Sequence, residues 1–113
     1  MRLLILVWNK EELLEEVLKA FIEAGISEAT ILDSERLGGF LAYEVPLFAG
    51  FKDFLAGNKP YNRTIFSLVK NEDTVKKLEK LIENVCGSFS ERRIGILFSV
   101  PVDFTREFGN EGE

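Results

Sequence analysis

Two copies of a strand–helix–strand pattern, separated by a long segment without a regular period, constrain this chain more than any other feature. Short runs at residues 3–8, 29–34, 64–69 and 94–100 have the length and composition of strands. Within each half, the stretch between the two runs carries apolar residues at three- and four-residue intervals, the stripe of an amphipathic helix. The predicted order is therefore βαββαβ.

The predicted helices have similar limits in both halves. Asn9 and Asn71 are placed as N-caps, and Gly25 and Gly87 are placed as C-terminal stops. Asn71 follows Asn9 at the same spacing as Gly87 follows Gly25, which indicates a repeated plan.

The order βαββαβ is that of the split βαβ, or ferredoxin-like, α+β sandwich. It places four strands in one antiparallel sheet, with both helices on one face and a long loop between strands two and three. The chain has 113 residues, a usual size for one domain, so we predict a single domain over residues 1–113.

The predicted strands are apolar on both faces. Strand four reads Ile-Gly-Ile-Leu-Phe-Ser-Val over residues 94–100, so neither set of alternate side chains is polar throughout. Two helices on one side leave the other face of the sheet uncovered, and an apolar face of that size needs a second cover. We therefore expect a homo-oligomer whose subunits pack sheet to sheet.

Composition argues against several classes of function. The chain has no histidine, and Cys86 is its one cysteine, so an internal disulfide and a Ser-His or Cys-His nucleophile pair are excluded. A zinc site is disfavoured for the same reason, whereas the 19 Asp and Glu residues leave a carboxylate site for Mg²⁺ or Ca²⁺ open. The net charge of −5 argues against a broad nucleic-acid surface.

The apolar run at residues 3–8 is too short to cross a membrane. Acidic residues follow it in place of a small-residue cleavage site, so it does not read as a secretory signal. We expect a cytoplasmic protein without membrane insertion.

Residues 36–62 form the long loop, in which no helix or strand period persists. Loops of this length are uncommon in compact domains and are usually functional. Six aromatic residues argue against a disordered linker, and one or two helical turns are expected around residues 49–56. The loop is interpreted either as an arm that packs at a subunit interface or as a mobile ligand loop with Gly38 and Gly39 as its hinge.

Several short segments are similar to the pattern of a known family. Gly25-Ile26, Thr30-Ile31 and Leu37-Gly38 are similar to the family's Gly-Ile, Thr-Val and Phe-Gly sequence. Residues 98–102, Phe-Ser-Val-Pro-Val, are similar to its Phe-Val-Ser-Pro-Val at the end of strand four. Residues 43–50 and 60–64 resemble a divergent subgroup. On these segments the chain resembles the PII signal-transduction family, in the broader PII-like sense, over nearly its whole length.

The resemblance implies a homotrimer, which agrees with the need to cover the open sheet face. It also implies a small-molecule site, often for ATP or ADP, in each cleft between subunits. That cleft lies between the base of the long loop at residues 36–62 and a shorter loop at residues 87–93. A C-terminal tail at residues 103–113 completes the plan. Members signal to a protein partner, in some cases a transporter, through the long loop.

The chain departs from the family pattern in two places. Nucleotide-binding members carry Thr-Gly-x-x-Gly-Asp-Gly-Lys before strand four, whereas residues 86–95 read Cys-Gly-Ser-Phe-Ser-Glu-Arg-Arg-Ile-Gly. Arg92 and Arg93 would then contact phosphate by charge. The chain has no glutamine and lacks the Arg-Gly-Ala-Glu-Tyr motif. The resemblance therefore does not extend to the family's use of glutamine for Mg²⁺ and 2-oxoglutarate, nor to its tyrosine modification.

We therefore expect a trimeric, non-enzymatic regulatory protein that senses a small anionic ligand, with ATP, ADP and AMP as candidates. No catalytic residue and no metal ligand is assigned. The predicted ligand-binding residues are Arg36, Gly38, Gly39, Gly87, Arg92 and Arg93.

Three alternatives stay open. The arginines could belong to an ordinary solvated turn. The chain could be a small cofactor-independent enzyme with a pocket inside one subunit, for which Glu44 beside Tyr43 is the available acid and phenol pair. It could also be a CutA-like trimer that binds a divalent metal.

Overall fold

The structure, a computed structural model, describes residues 1–44, 47, 60–87 and 93–109, without the side chains of residues 42 and 43. In order, the elements are β1 (Arg2–Trp8), α1 (Leu14–Glu23), β2 (Thr30–Glu35), α2 (Leu37–Glu44), β3 (Tyr61–Val69), α3 (Glu72–Cys86) and β4 (Gly95–Pro101). A short 3-10 turn over Glu11–Leu13 leads into α1. None of the described helices is long and apolar enough to cross a membrane.

The four strands form one antiparallel sheet in the order β2-β3-β1-β4. Leu6 in the middle of β1 is opposite Ile65 of β3 on one side and opposite Leu97 of β4 on the other. The predicted fold class, an α+β sandwich of the ferredoxin-like type, is confirmed.

The core lies between one face of this sheet and the two long helices. Alternate residues of β1 point into it, and Leu4, Leu6 and Trp8 are all buried. The helices α1 and α3 pack against each other and contribute the apolar stripes that the sequence predicted. The buried helical side chains are Val17, Ala20, Phe21, Val75, Leu78 and Ile82.

The opposite face of the sheet, here called the open face, carries no helix among the described residues. The strand register shows which residues share this face. They are Leu3, Ile5, Val7, Thr30, Leu32, Ser34, Asn62, Thr64, Phe66, Leu68, Ile96, Phe98 and Val100. None of these side chains is charged, although 29% of the whole sequence is. Ile96 is 60% exposed and Leu68 is 52% exposed, so apolar side chains meet solvent there.

Three of the four predicted helix limits are confirmed. The Asn71 side chain accepts a hydrogen bond from the backbone N–H of Thr74 at 3.2 Å, so it caps α3. Gly25 and Gly87 end their helices with φ angles of 86° and 59°, a left-handed conformation that glycine takes at little cost. The N-cap predicted at Asn9 is wrong. Its side chain is held by groups at the end of the sheet, described below.

The long loop departs from the sequence prediction at both ends. It begins with α2, in which the backbone N–H of Phe40 donates to the carbonyl of Arg36 at 2.8 Å. It ends where β3 begins at Tyr61, three residues before the predicted start at Thr64. The apolar residues of α2 are distributed around the whole helix, so its sequence shows no apolar stripe along one face. The helical turns expected around residues 49–56 lie outside the described residues.

Candidate functional site

The antiparallel sheet brings four chain segments to one of its ends, here called the loop end. β1 and β2 finish there, while β3 and β4 begin there. The segments that meet contain Asn9, Arg36, Pro60 and Arg93. The backbone N–H of Arg36 donates to the carbonyl of Pro60 at 2.9 Å and so closes the base of the long loop.

A chain of side-chain hydrogen bonds joins three strands at this end. Ser34 Oγ donates to Asn62 Oδ1 at 2.5 Å and lies 2.9 Å from Thr64 Oγ1. Asn62 Nδ2 donates to Asn9 Oδ1 at 3.0 Å. Asn9 Nδ2 in turn donates to the backbone carbonyl of Arg93 at 2.7 Å. The ends of β1, β2 and β3 thereby hold the residue that leads into β4.

The backbone of Arg93 is in a conformation unusual for a residue with a side chain. Its φ of 59° lies in the left-handed region, and Arg93 is the one described residue other than glycine with a positive φ. That conformation costs a non-glycine residue roughly 1–2 kcal/mol. The hydrogen bond from Asn9 to its carbonyl helps to hold it there.

Arg36 lies at the loop end with an unsatisfied donor. Its Nη1 atom is buried, and no group in the described part of the chain accepts a hydrogen bond from it. Burial lowers the pKa of Arg36 from its ordinary value, and the positive charge of Arg93 lowers it further. The charge of Arg93 therefore acts on the guanidinium of Arg36, in a setting that disfavours the charged form of Arg36.

Arg63, a third arginine at the same end of the sheet, has carboxylate partners for its guanidinium group. Arg63 Nη2 lies 3.2 Å from Glu11 Oε1, and Arg63 Nε lies 3.0 Å from Asp33 Oδ1. Within residues 1–44, 60–87 and 93–109 neither Arg36 nor Arg93 has a comparable carboxylate partner. Arg36 and Arg93 are therefore the two arginines of the loop end that lack a carboxylate partner among the described residues.

Gly38 and Gly39, predicted as the hinge of the long loop, both lie inside α2, and neither has a positive φ. Gly39 is needed for close packing instead. A Cβ atom placed on it would lie 2.5 Å from Pro60 Cβ and 2.7 Å from Pro60 Cα. Gly39 therefore lets α2, which follows directly after Arg36, pack against the segment that enters β3.

Of the two remaining predicted ligand residues, the structure describes one. Gly87 ends α3 and lines the cleft described next. Arg92 lies outside the described residues. The structure therefore places Arg36 and Arg93 at the same end of the sheet, and Gly39 packs against Pro60 there.

A cleft of about 640 Å³ lies on the helix side of the sheet, between α3 and the adjoining β1 and β4, and is open to solvent. Its apolar walls include Leu6, Trp8, Ile82 and Leu97. Arg93 also lines it, so the cleft and the loop end share this residue.

Cys86 lines the same cleft, and burial raises the pKa of its thiol above the ordinary value. Gly95 lines the cleft as well and allows the Trp8 ring to lie across β4. A Cβ on Gly95 would come 2.5 Å from Trp8 Cε3. The Trp8 Nε1 donates to the carbonyl of Lys10 at 2.8 Å, which satisfies the one polar atom of the indole.

Sequence reasoning missed Asn9 and Asn62 as parts of the site. Asparagine is common at helix caps and turns, and the sequence has no signal that places the two side chains in contact. The cleft was missed for a similar reason, because it depends on how far α3 lies from β4.

No protein-family model matches the sequence, and no curated protein matches it.

The described residues contain no group of three or more Cys, Asp or Glu side chains arranged to hold a metal ion. Glu44 is exposed at the end of α2, and the side chain of Tyr43, its partner in the enzyme alternative, lies outside the described set.

Proposed function

We propose that this chain is a PII-like cytoplasmic regulatory protein, a homotrimer that binds a small anionic ligand in each cleft between subunits, at the loop end of the sheet. Adenine nucleotides are the first candidates for that ligand. Binding orders the long loop at residues 36–62, which then docks on a protein partner such as a transporter or an enzyme. The carrying observation is the buried Nη1 of Arg36, which has no hydrogen-bond acceptor among the described residues and on which the charge of Arg93 acts.

The electrostatics of the pair support an anion as the missing partner. A buried donor without an acceptor costs about 1–3 kcal/mol. An anionic group between Arg36 and Arg93 would accept hydrogen bonds from both and would neutralise their mutual repulsion. Planar guanidinium groups are well suited to carboxylate and phosphate because they donate two parallel hydrogen bonds.

The backbone of Arg93 gives further support. Strained non-glycine residues are concentrated at binding and switch sites, where the surrounding structure holds them in place. The chain of bonds from Ser34 through Asn62 and Asn9 to Arg93 is such a support. We take it to position the Arg93 side chain for the ligand.

The open face supports the trimer. An uncharged sheet face of thirteen residues in a protein with 29% charged residues is typical of a buried subunit contact. Packing three sheets around a common axis would cover this face in every subunit. The site between neighbouring subunits, as the family resemblance has it, depends on that assembly.

Calorimetric titration with ATP, ADP, AMP and inorganic phosphate tests the ligand. We expect at least one to bind more tightly than about 1 mM, the limit at which binding amounts to roughly −4 kcal/mol. Arg36→Met and Arg93→Gln should each weaken that binding at least tenfold. Lys76→Gln, an exposed substitution near the start of α3, is the matched control that should leave it unchanged. Failure of all four ligands to bind would refute the nucleotide assignment, and equal weakening by Lys76→Gln would refute the site.

The cleft beside α3 favours one alternative, a small enzyme, because it lies within one subunit. The proposed sensor and this enzyme differ in what happens to the ligand after it binds. A sensor returns its ligand unchanged after incubation, whereas an enzyme converts it. Chromatography of the bound ligand after incubation separates the two.

A further inference from the structure

We infer that the ligand of the loop end is an amphipathic monoanion, whose single anionic group meets Arg36 and Arg93 and whose apolar body lies in the cleft between α3 and β4. The inference rests on the proposed anion site and adds the class of ligand. It replaces a polyanionic ligand with one that carries a single carboxylate on an apolar chain.

Arg93 connects the two parts of this extended site. Arg93 is one of the residues that line the cleft, and its charge acts on Arg36 at the loop end. Its carbonyl is fixed by Asn9 at 2.7 Å, so the residue is anchored where the cleft opens onto the loop end. One ligand can therefore contact Arg93 with its anionic group and continue into the cleft.

The cleft fits an apolar body. Its volume of about 640 Å³ falls within the range of small-molecule sites, and four large apolar side chains line it. Leu6, Trp8 and Ile82 come from the buried core, so the floor is rigid, and the half-buried Leu97 completes it. The indole nitrogen of Trp8 already donates to Lys10 and offers the ligand no polar contact.

The charges along the cleft limit the number of anionic groups. Glu79 and Glu83 lie along its α3 wall, whereas Arg93 is the cation among its described lining residues. A second or third phosphate placed along the cleft would meet these carboxylates, and like charges at such distances repel. The favourable arrangement has one anionic group at the arginine end and uncharged atoms beside the glutamates.

Two residues make the cleft directly observable. Trp8 is the one tryptophan of the sequence and Cys86 is its one cysteine, and both line the cleft. Intrinsic tryptophan fluorescence and the rate of thiol labelling therefore report on this site and not on the open face, from which Trp8 is separated by the sheet.

The experiment titrates the full chain with butyrate, hexanoate, octanoate and decanoate, following Trp8 fluorescence and the protection of Cys86 from maleimide. We expect affinity to rise about fourfold for each methylene that enters the cleft. 1-Octanol, which has the chain without the charge, should bind at least tenfold more weakly than octanoate. Arg93→Gln should remove that difference, whereas Lys76→Gln should keep it.

Two outcomes would overturn the inference while leaving the proposed function standing. In the first, phosphate or a nucleotide binds in a manner that needs Arg36 and Arg93, yet chain length has no effect on affinity and Trp8 does not respond. In the second, Cys86 resists maleimide in the oligomer without any ligand, which would mean that another copy of the chain already covers the cleft.

Chain-length-dependent binding that is equally strong for 1-octanol, or unchanged in Arg93→Gln, would also overturn the inference, because it would remove the anionic group from recognition. If neither carboxylates nor phosphate nor nucleotides bind, the inference and the proposed function fail together.

Discussion

Arg36, Arg63 and Arg93 lie at the same end of the sheet with different surroundings. Arg63 has Glu11 and Asp33 as ion-pair partners. Arg36 has a buried nitrogen with no acceptor in the described part of the chain and a pKa lowered by burial and by Arg93. The free protein is therefore less stable with Arg36 charged than it would be with a neutral side chain of the same shape, and an anion would reverse that balance.

Replacing Arg36 by methionine should stabilise the free protein. Arg36→Met keeps the apolar stem and removes the unsatisfied donor, so we expect the free energy of unfolding in phosphate-free buffer to rise by about 1 kcal/mol. Arg63→Met, which removes two exposed ion pairs, should lower it by about 1 kcal/mol or less. Denaturant titration measures both. Added phosphate should raise the stability of the wild type and not that of Arg36→Met. Destabilisation by Arg36→Met equal to that of Arg63→Met would contradict this account.

At the residue scale, the sequence predicts contacts between near neighbours in the chain and misses contacts between residues that are far apart in it. Asn71 and Asn9 follow apolar strands in similar contexts, and both were expected to cap a helix. Asn71 does so, with its side-chain oxygen accepting from the backbone N–H of Thr74, three residues along the chain. Asn9 instead bonds to Asn62 and Arg93, which are far away in sequence. Sequence spacing alone contains no information about those partners.

At the element scale, the pairing of β1 with β4 shapes the cleft. Trp8 is opposite Gly95 in the register, and its ring covers the glycine. Aromatic side chains commonly cover strand glycines in this way. The contact fixes the indole between the core and the cleft, with its nitrogen bonded to Lys10.

Gly95→Ala should therefore displace Trp8. The added Cβ would lie 2.5 Å from Trp8 Cε3 and 2.8 Å from the carbonyl oxygen of Val7, so the ring or the strand must shift. Overpacking of this kind costs roughly 1–3 kcal/mol. Thermal unfolding and tryptophan fluorescence report the change. The double variant with Trp8→Phe should lose less than the two single variants predict together, because the smaller ring leaves room. Additive losses would contradict the assigned contact.

The elements themselves were largely predictable, and α2 shows where prediction stopped. The four strands and the two amphipathic helices each had a clear period. Leu37–Glu44 contains two adjacent glycines and apolar residues on every side, so neither propensity nor periodicity favoured a helix. The helix forms where Gly39 packs against Pro60, a tertiary contact that the sequence does not reveal.

At the scale of the whole molecule, neighbouring residues of β4 face different environments. Leu97 points to the helix side and packs against the core, whereas Phe98 points to the open face and is 42% exposed in the single chain. The strand register therefore separates a face buried in the core, which contains Leu97, from the open face, which contains Phe98 and carries the proposed subunit contact.

Leu97→Asp should unfold the subunit, since an unpaired charge among core side chains costs several kcal/mol against a total stability of roughly 5–15 kcal/mol. Phe98→Asp should leave a folded chain that no longer assembles. Circular dichroism tests folding and gel filtration tests assembly, with Asp103→Asn in the exposed tail as a control for both. The account would be contradicted if Phe98→Asp stayed assembled or if both variants unfolded alike.

The molar mass of the wild-type protein in solution tests the central claim most directly, because the open face, the proposed site between subunits and the regulatory role all depend on assembly. Light scattering coupled to gel filtration at micromolar concentration should give three copies of the 12.8 kDa chain, about 38 kDa. A mass of one chain under the same conditions would contradict both the trimer and the site that depends on it.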